Sequence, residues 1–292
     1  MKIHLVDGTY ELFRNHYGAP PKSAPDGRPV GATLGLVRSL LMLVTTPGVT
    51  HVACAFDHVI ESFRNDLYAG YKTSAGVDAD LLAQFSLAEE AVAALGVVVW
   101  PMVEFEADDA LASAVKRFKK NKTVEQILLC SPDKDLAQLV SGNRVVCWDR
   151  RRDVIIDETG VREKYGVRPL AIADWLALVG DAADGYPGLP GWGAKSAAAV
   201  LARFEHIEAI PADAAQWQLP AISPGRAASL AATLAERRDE ALLYRRLATL
   251  RDDVPLKETL RELQWRGAHN RLKNLCQALG DERSVARITR WQ

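Results

Sequence analysis

The sequence contains no long uninterrupted hydrophobic run. Its most apolar stretch, LGLVRSLLMLV, is broken by Arg38, whereas a membrane helix needs about 20 apolar residues in succession. Lys2, His4 and Asp7 lie close to the N-terminus, which does not fit a signal peptide. With 48% hydrophobic and 25% charged residues, the composition is typical of a globular protein. We therefore expect a cytoplasmic protein that has no membrane span.

Cysteine is scarce and shows no regular spacing. Cys54, Cys130, Cys147 and Cys276 form no C-x-x-C pair, and three of them lie in apolar, strand-like runs. Zinc sites and disulfide frameworks usually show regular cysteine spacing, which is missing here. The pattern favours buried, reduced thiols over a zinc site or a disulfide.

The sequence also has no surplus of basic residues. There are 36 Lys and Arg against 37 Asp and Glu, which gives a net charge of −1. No lysine or arginine occurs between Lys72 and Lys116. Because nucleic-acid-binding proteins are expected to carry a basic surface, this balance argues against such a partner unless cations neutralise many of the acids.

Short β-branched runs alternate with helical patterns in the first half of the chain, which is typical of a parallel sheet with crossover helices. We predict an α/β parallel-sheet core over 1–168, followed by a helical region over 169–292, with no internal repeat. The predicted strands are IHLV, THVACAF, VVVW, EQILLCS and RVVCW, and the predicted helices are 34–44, 83–95, 107–120 and 135–140.

Nine acidic residues lie just after predicted strands, at the start of a predicted helix or in the loop GDAADG. Ligands of open parallel sheets bind beyond the carboxyl ends of the strands, so we expect these acids to share one edge. Each acid taken singly has an ordinary alternative as a turn residue or helix cap. The nine are Asp7, Asp57, Glu106, Asp108, Asp109, Asp133, Asp135, Asp181 and Asp184.

So many carboxylates at one edge would repel one another unless cations neutralised them. Oxygen ligands without a matching set of His or Cys indicate magnesium or manganese rather than zinc. Two such ions about 4 Å apart activate a water and stabilise the leaving oxygen of a phosphodiester. Removing nine negative charges from −1 leaves +8 for the remaining surface, which agrees with a nucleic-acid partner.

A glycine-rich loop opens a predicted helix at residues 188–201, GLPGWGAKSAAAVL. Backbone amides at a helix N-terminus, together with Lys195, form a natural phosphate site. Such a hairpin would hold a DNA backbone without reading its sequence. A plain tight turn is the alternative, and the position directly after Asp181 and Asp184 favours the phosphate site.

Six motifs together resemble the 5′ nucleases: the 5′ nuclease domain of bacterial DNA polymerase I, bacteriophage 5′ exonucleases and, more distantly, flap endonucleases. The motifs occur in the family's order and spacing and, with LATLRDDVPL, span nearly the whole chain. They are LVDG at Asp7, FD at Asp57, SFRNDLYAGYK, EADD, SPDKDLAQL and GDAADGYPGLPGWGAKSA. The resemblance implies a PIN-like nuclease core, a helix-hairpin-helix-type DNA-binding region and the nine acids as ligands of two Mg²⁺ ions, for which Mn²⁺ can substitute.

The resemblance also implies further site residues. Lys72, at the base of a helical arch over about 70–90, and Arg64 would take part in catalysis. Phe13 and Arg14 would lie near the terminal nucleotides, where an aromatic ring can stack on a base, although Phe13 fits a core position equally well. The hairpin would contact DNA, and its carbonyls would bind a K⁺ ion. Its predicted DNA-binding residues are Gly188, Gly191, Gly193, Lys195 and Ser196.

The sequence departs from the family in the arch and in one loop. Ala75 replaces a usual arginine, and the absence of basic residues after Lys72 predicts inefficient threading of a 5′ flap. Gly185 replaces an asparagine after Asp184, a change that we expect the loop to tolerate. No polymerase module follows, so we expect an independent, monomeric nuclease that works alone or with a separate DNA polymerase.

The primary prediction is a structure-specific 5′ nuclease that acts on flap, nicked or gapped DNA in replication or repair. Two alternatives remain open. The protein could bind DNA junctions with little turnover, or it could cleave RNA or RNA/DNA hybrids, since nothing in the sequence visibly reads a 2′-hydroxyl.

Overall fold

The structure is a computed structural model that describes all residues from Met1 to Gln292. The chain forms two compact units. The first contains Met1–Ser62, Ser74–Ser131 and Arg251–Gln292, and the second contains Phe63–Thr73 and Pro132–Leu250. The predicted boundary near residue 168, which was placed where the strand pattern ends, stays a prediction. None of the helices is long and apolar enough to cross a bilayer.

Strands occur only in the first 156 residues, and helices make up the rest of the regular structure. The strands are β1 (Lys2–Asp7), β2 (His51–Asp57), β3 (Val98–Met102), β4 (Gln126–Cys130), β5 (Val145–Asp149) and β6 (Val154–Ile156). The helices are α1 (Gly8–Tyr17), α2 (Gly31–Thr45), α3 (Phe63–Leu67), α4 (Ala79–Leu82), α5 (Phe85–Ala94), α6 (Ala107–Phe118), α7 (Glu158–Tyr165), α8 (Ile172–Val179), α9 (Ala194–Phe204), α10 (Pro224–Glu236), α11 (Arg238–Ala248), α12 (Arg271–Ala278) and α13 (Glu282–Ala286).

The predicted elements are confirmed with one correction and five omissions. The five predicted strands are β1 to β5, and three predicted helices are α2, α5 and α6. The segment predicted as a helix over 135–140 is a 3-10 helix, Asp135–Leu139, because so short a segment closes with tighter hydrogen bonds. The elements that were not predicted are α1, α3, α4, α7 and β6.

The first unit contains four parallel strands in the order β3-β2-β1-β4. The central strands are buried along nearly their whole length, as expected of a parallel sheet covered by helices. The register pairs Asp7 with Ala55 and Asp57 with Met102. The carboxyl ends of the strands, with Asp7 and Asp57, therefore lie at one edge of this sheet.

Helix α2 packs against α1 and α5 and is buried around most of its circumference. Its residues Leu34, Leu36, Leu40 and Leu43 are almost completely buried. Each buried leucine contributes roughly 1.5–3 kcal/mol relative to an exposed one. Arg38, which breaks this apolar run, lies on the partly exposed side of the helix.

The second unit combines the antiparallel β5-β6 hairpin with helices α7 to α11. Helix α8 packs against α9 and α11. Its buried Asp174 accepts hydrogen bonds from Arg245 Nη1 (3.1 Å) and from the Ile207 amide (3.0 Å), and it lies 3.0 Å from His206 Nδ1. This carboxylate therefore links α8 to α11 and to the segment that follows α9.

All four cysteines are buried and unbridged, which confirms the prediction of reduced thiols. Burial raises the pKa of Cys276 to about 11, and the nearby Asp281 acts in the same direction. A thiol with a raised pKa is a poor nucleophile and a poor metal ligand. The cysteines therefore act as small core residues.

Arg38 and Asp281 form a two-pronged ion pair between α2 and the C-terminal segment. The Nη2–Oδ1 distance is 2.7 Å and the Nε–Oδ2 distance is 3.1 Å. Burial by itself raises the pKa of Asp281, but hydrogen bonds from Arg38 and Ser284 lower that pKa below its ordinary value. The ionised carboxylate, only 3% exposed, thus depends on these donors.

We expect Arg38→Ala to destabilise the protein by roughly 1–3 kcal/mol at pH 7, because it leaves a buried carboxylate short of partners. Since the folded-state pKa of Asp281 is depressed below the ordinary value of about 3.9, the stabilisation is fully present above that pH and is lost as the pH falls further, through the folded-state pKa. Urea unfolding at pH 7 and pH 2.5 measures both effects. Arg287→Ala, which removes an exposed arginine of the same unit, is the control and should change little.

Candidate functional site

Three of the predicted acidic ligands converge in the second unit. Ligand oxygens of Asp135, Asp181 and Asp184 all lie within 4.8 Å of one another. Asp135 and Asp181 are buried, and the side chain of Asp184 is 13% exposed. Three carboxylates at this spacing repel one another strongly unless cations lie among them.

Asp135 carries a large electrostatic penalty in this cluster. Burial raises the pKa of Asp135 well above its usual range, and the carboxylates of Asp133, Asp184 and Asp181 raise it further. Lys134 opposes these effects. The oxygen Oδ1 of Asp135 is buried and accepts no hydrogen bond, which is costly for a polar atom. A divalent cation with its water shell would neutralise the charge and satisfy this oxygen.

Tyr186 supplies a second buried polar atom without a partner. The side chain is fully buried, and its hydroxyl makes no hydrogen bond. Its ring stacks on Tyr244 with centroids 5.6 Å apart and an interplanar angle of 21°. Burial raises the pKa of Tyr186, and the carboxylates of Asp135, Asp184 and Asp181 add to the effect. The hydroxyl therefore stays protonated and can donate a hydrogen bond at this centre.

Two ammonium groups supply part of the missing positive charge. Lys134 Nζ lies 2.8 Å from Asp181 Oδ2, and Lys72 Nζ lies 3.1 Å from Asp184 Oδ1. Burial by itself lowers the pKa of Lys134, but the hydrogen bond to Asp181 and the neighbouring carboxylates raise it overall. Both lysines are about one-third exposed or less, so they approach the cluster from its solvent side.

The loop that holds Asp181 and Asp184 is closed by backbone hydrogen bonds. The amide of Asp181 donates to Tyr186 O (2.8 Å), and the amide of Tyr186 donates to Asp181 O (3.1 Å). Gly185 has φ = +88°, and a Cβ there would lie 2.2 Å from Gly70 O. Glycine fits at position 185 for two reasons. It adopts this positive φ without strain, and it has no Cβ that would clash with Gly70 O.

Asp7, Asp57 and Glu106 lie at the carboxyl edge of the sheet in the first unit. Asp7 accepts hydrogen bonds from the Tyr10 amide (2.8 Å) and from Ser131 Oγ (3.0 Å). The Ala107 amide donates to Asp57 Oδ1 (2.7 Å). Asp7 is thus also the N-cap of α1, Asp57 accepts a hydrogen bond from the first amide of α6, and these bonds orient the carboxylates at the edge.

The remaining acids differ in exposure and bonding. Glu106 accepts a hydrogen bond from Ser62 Oγ (2.7 Å). Asp109 is fully buried and accepts hydrogen bonds from the amides of Glu106 (3.0 Å) and Arg251 (2.8 Å), which favours a supporting role. Asp108 is half-buried in the first turn of α6, and the exposed Asp133 accepts a hydrogen bond from the Asp135 amide (2.9 Å).

Arg64, predicted to be catalytic, lies inside the second unit. It is 1% exposed and donates to the carbonyls of Leu247 (2.7 Å) and Thr249 (3.3 Å) at the end of α11. A guanidinium at that position stabilises unsatisfied carbonyls at a helix C-terminus. In this conformation Arg64 supports the fold instead of offering its charge to a phosphate.

The predicted aromatic–arginine pair lies on α1. The half-buried Phe13 packs against Phe85, with ring centroids 6.2 Å apart, and against Tyr17 at 6.3 Å. Arg14 donates to the buried Glu11 and lies 3.4 Å from Ser39 Oγ. Phe13 is therefore at least partly a packing residue, while Arg14 keeps 27% of its side chain exposed.

The glycine-rich hairpin leads into α9 as predicted. Gly188 and Gly191 have positive φ, and a Cβ on Gly188 would lie 2.4 Å from the Gly180 amide. Gly193 precedes the helix, its amide donates to Ser196 Oγ (3.1 Å), and Lys195 is exposed. The hairpin lines one side of a cleft of about 870 Å³, and the carbonyl of Gly191 accepts a hydrogen bond from Arg226.

The sequence analysis missed Lys134 and Tyr186 as members of the centre. Lys134 stands between two predicted ligands in SPDKD, so an ammonium beside the acids was visible in the pattern. Nothing in the sequence around Tyr186 indicates a site residue, because GYPG is a pattern typical of an ordinary turn. Its place depends on the stacking with Tyr244, which is distant in sequence.

Two family models cover most of the chain. The model described as 5′-3′ exonuclease, N-terminal resolvase-like domain, matches residues 2–166. The model described as 5′-3′ exonuclease, C-terminal SAM fold, matches residues 167–271. These matches confirm the predicted fold class, an α/β nuclease core followed by a helical region.

Individual relatives agree with the family models. DNA polymerase I of Rhizobium leguminosarum is 35% identical over 263 residues, which cover 87% of this chain and 25% of that protein. The chain therefore spans about a quarter of the length of this relative. The 5′-3′ exonuclease of Aquifex aeolicus is 32% identical over 209 residues, which cover 71% of each chain.

A solved structure shares the fold at low sequence identity. The flap endonuclease of bacteriophage T5, in a pseudo-enzyme-product complex with DNA and metal ions, has a TM-score of 0.65 and 17% identity. The match covers 98% of this chain and 96% of the T5 chain. Together with the family models, these relatives show that the chain belongs to the 5′-3′ exonuclease family.

Proposed function

We propose that this protein is a structure-specific 5′ nuclease that hydrolyses DNA phosphodiesters at or near a 5′ end, acting on flap, nicked or gapped duplexes in replication or repair. The observation that carries the proposal is the buried cluster of Asp135, Asp181 and Asp184, in a chain of the 5′-3′ exonuclease family. The T5 relative, which has the same fold, binds DNA and metal ions.

The side chains present fit divalent metal ions. The cluster offers oxygen ligands only, which suits Mg²⁺ and also Mn²⁺. The unpartnered Oδ1 of Asp135 and the unpartnered hydroxyl of Tyr186 are the kind of buried atoms that a hydrated cation satisfies. We propose two ions, held by the second-unit aspartates together with Asp7, Asp57, Glu106, Asp108, Asp109 and Asp133. When bound, such ions activate a water and stabilise the leaving oxygen.

The protein's own cations have separate proposed roles. Lys72 lies against Asp184 and, once an ion takes its place, can turn to the scissile phosphate and stabilise its developing charge. Lys134 holds Asp181 in place by its 2.8 Å hydrogen bond. Arg64, which is bonded to carbonyls, supports the helix that carries Tyr244.

Other proposed features concern substrate and setting. The exposed Lys195 and the amides of the hairpin bind the DNA backbone, and Gly188, Gly191, Gly193 and Ser196 shape the turn. A K⁺ ion at the hairpin carbonyls would share them with Arg226, which already donates to Gly191 O. We propose that the protein works in the cytoplasm as a monomer, alone or with a separate DNA polymerase.

The proposal predicts structure-dependent cleavage that requires Asp181. Wild-type protein should cut a 5′-labelled flap or nicked duplex with Mg²⁺ or Mn²⁺ but not with chelator. Asp181→Asn should lower kcat by about 10³-fold or more, because it removes a charged ligand, while flap binding is retained. Asp239→Asn, an exposed acid of the same unit, is the control. Tight binding without cleavage would instead indicate a junction-binding protein, and preference for RNA would indicate a ribonuclease.

Asp135→Asn should stabilise the metal-free protein at pH 8. Because the folded-state pKa of Asp135 is raised, the ionised carboxylate costs stability at high pH, and that cost disappears as the pH falls towards 4. The thermal midpoint should rise by about 2–4 °C for each kcal/mol relieved. Mg²⁺ should then stabilise the wild type more than the variant.

Differential scanning calorimetry with and without Mg²⁺ measures these shifts. Asp174→Asn is the matched control, since it is a buried aspartate of the same unit whose carboxylate is satisfied by Arg245 and Ile207. Asp174→Asn should lower the thermal midpoint both with and without Mg²⁺. A drop in midpoint for Asp135→Asn without metal would contradict the proposed site.

Lys72→Ala should lower kcat by roughly 10²-fold or more with a smaller change in KM, as expected for a group that acts on the transition state. Lys72→Arg should restore part of the loss, whereas the exposed Lys164→Ala should be neutral. If Lys72 were only a counter-ion of Asp184, its removal would tighten Mg²⁺ binding and leave kcat unchanged. Single-turnover cleavage and a metal titration separate the two roles.

A further inference from the structure

A second cleft lies in the first unit, at the opposite end of the sheet from the carboxylates. Its volume is about 600 Å³. Val97 and Val98, at the start of β3, form part of its wall, whereas Asp57 and Glu106 follow the ends of strands. A five-residue strand is roughly 17 Å long, so the cleft is well separated from the acidic edge.

Backbone hydrogen bonds hold the C-terminal segment in place around the cleft. The Trp265 amide donates to Thr50 O (2.8 Å), the His269 amide to Ala94 O (2.9 Å) and the Gln292 amide to Ala268 O (2.9 Å). Gly96 and Gly267 have positive φ, and a Cβ on Gly96 would lie 2.1 Å from Gly267 O. The close approach of two backbones therefore fixes the shape of the cleft.

The cleft and the pocket beside it carry more positive than negative charge. Arg261 and Arg266 line it, and Arg271 lines an adjoining pocket that shares His269 and Gln292 with it. All three arginines are exposed, and none forms an ion pair. The one acid of the lining, Glu262, accepts hydrogen bonds from the amide and hydroxyl of Thr259, both at 2.7 Å, and so remains charged.

The position of these arginines contrasts with the segment that follows Lys72. No lysine or arginine occurs from residue 73 to residue 115, which includes most of the predicted arch, whereas residues 261–292 contain seven basic and three acidic residues. Unpaired guanidinium groups around one cleft favour an anionic ligand. Arginine binds phosphate through two parallel hydrogen bonds, which lysine cannot do.

We propose that this cleft binds the phosphodiester backbone of a nucleic-acid strand, as a second contact remote from the carboxylates. The assignment rests on the proposed function only in taking DNA as the substrate. The lining contains no Phe, Tyr or Trp to stack on a base, so binding here is independent of sequence. This contact supplies electrostatic affinity that the predicted arch, which has no lysine or arginine after Lys72, does not provide.

The test is DNA binding by a variant in which Arg261, Arg266 and Arg271 are all changed to Gln. Binding of a fluorescent 5′-flap duplex is measured in chelator, so that no cleavage occurs, across a series of salt concentrations. Losing about three phosphate contacts should reduce the slope of log K against log[salt] by about two to three and raise Kd at least about tenfold at low salt. The matched control changes three exposed lysines of the same unit, Lys120, Lys122 and Lys257, to Gln.

The outcomes separate this proposal from the proposed activity. An unchanged slope in the arginine variant, or an equal change in the lysine control, overturns the cleft as a nucleic-acid site. Polyglutamate binding that the arginine variant loses, with DNA binding intact, assigns the cleft to an acidic protein and also overturns it. The kcat on saturating flap DNA with Mg²⁺ should be unchanged in the variant. Absence of cleavage by the wild type would refute the nuclease activity while leaving the binding result interpretable.

Discussion

Repulsion among Asp135, Asp181 and Asp184 is the constraint on which the candidate site depends. Three carboxylates within 4.8 Å of one another are stable only beside positive charge, and Lys134 and Lys72 supply part of it. The closed loop between Asp181 and Tyr186 and the stack of Tyr186 on Tyr244 keep the carboxylates from moving apart. The surrounding structure thus stores electrostatic strain that a divalent cation would relieve.

Much of the fold follows from local patterns. The apolar strands that end in Asp7 and Asp57 and the helix that begins after Glu106 were predicted from alternating runs and first-turn acids. The acids of the cluster were also predicted, because Asp135 follows a predicted strand and Asp181 and Asp184 lie in the loop GDAADG. The sequence motifs gave these positions, but they did not show how close together the three carboxylates lie.

The partners of individual side chains were not predictable in the same way. Arg64, predicted to be catalytic, donates to the carbonyls of Leu247 and Thr249, which are about 180 residues away in the sequence. Tyr186 stacks on Tyr244, which lies 58 residues further along the chain. Such contacts depend on tertiary packing, and no local pattern of residues encodes them. A motif can therefore identify a functional position while leaving its hydrogen bonds unknown.

The burial of all four cysteines makes this protein convenient for spectroscopy. None of the native thiols is accessible to a labelling reagent in the folded state. A cysteine introduced on an exposed surface would be the single reactive thiol, and the native cysteines would not have to be removed. A fluorophore or spin label attached to that thiol would then report binding at the chosen surface without a signal from the native cysteines.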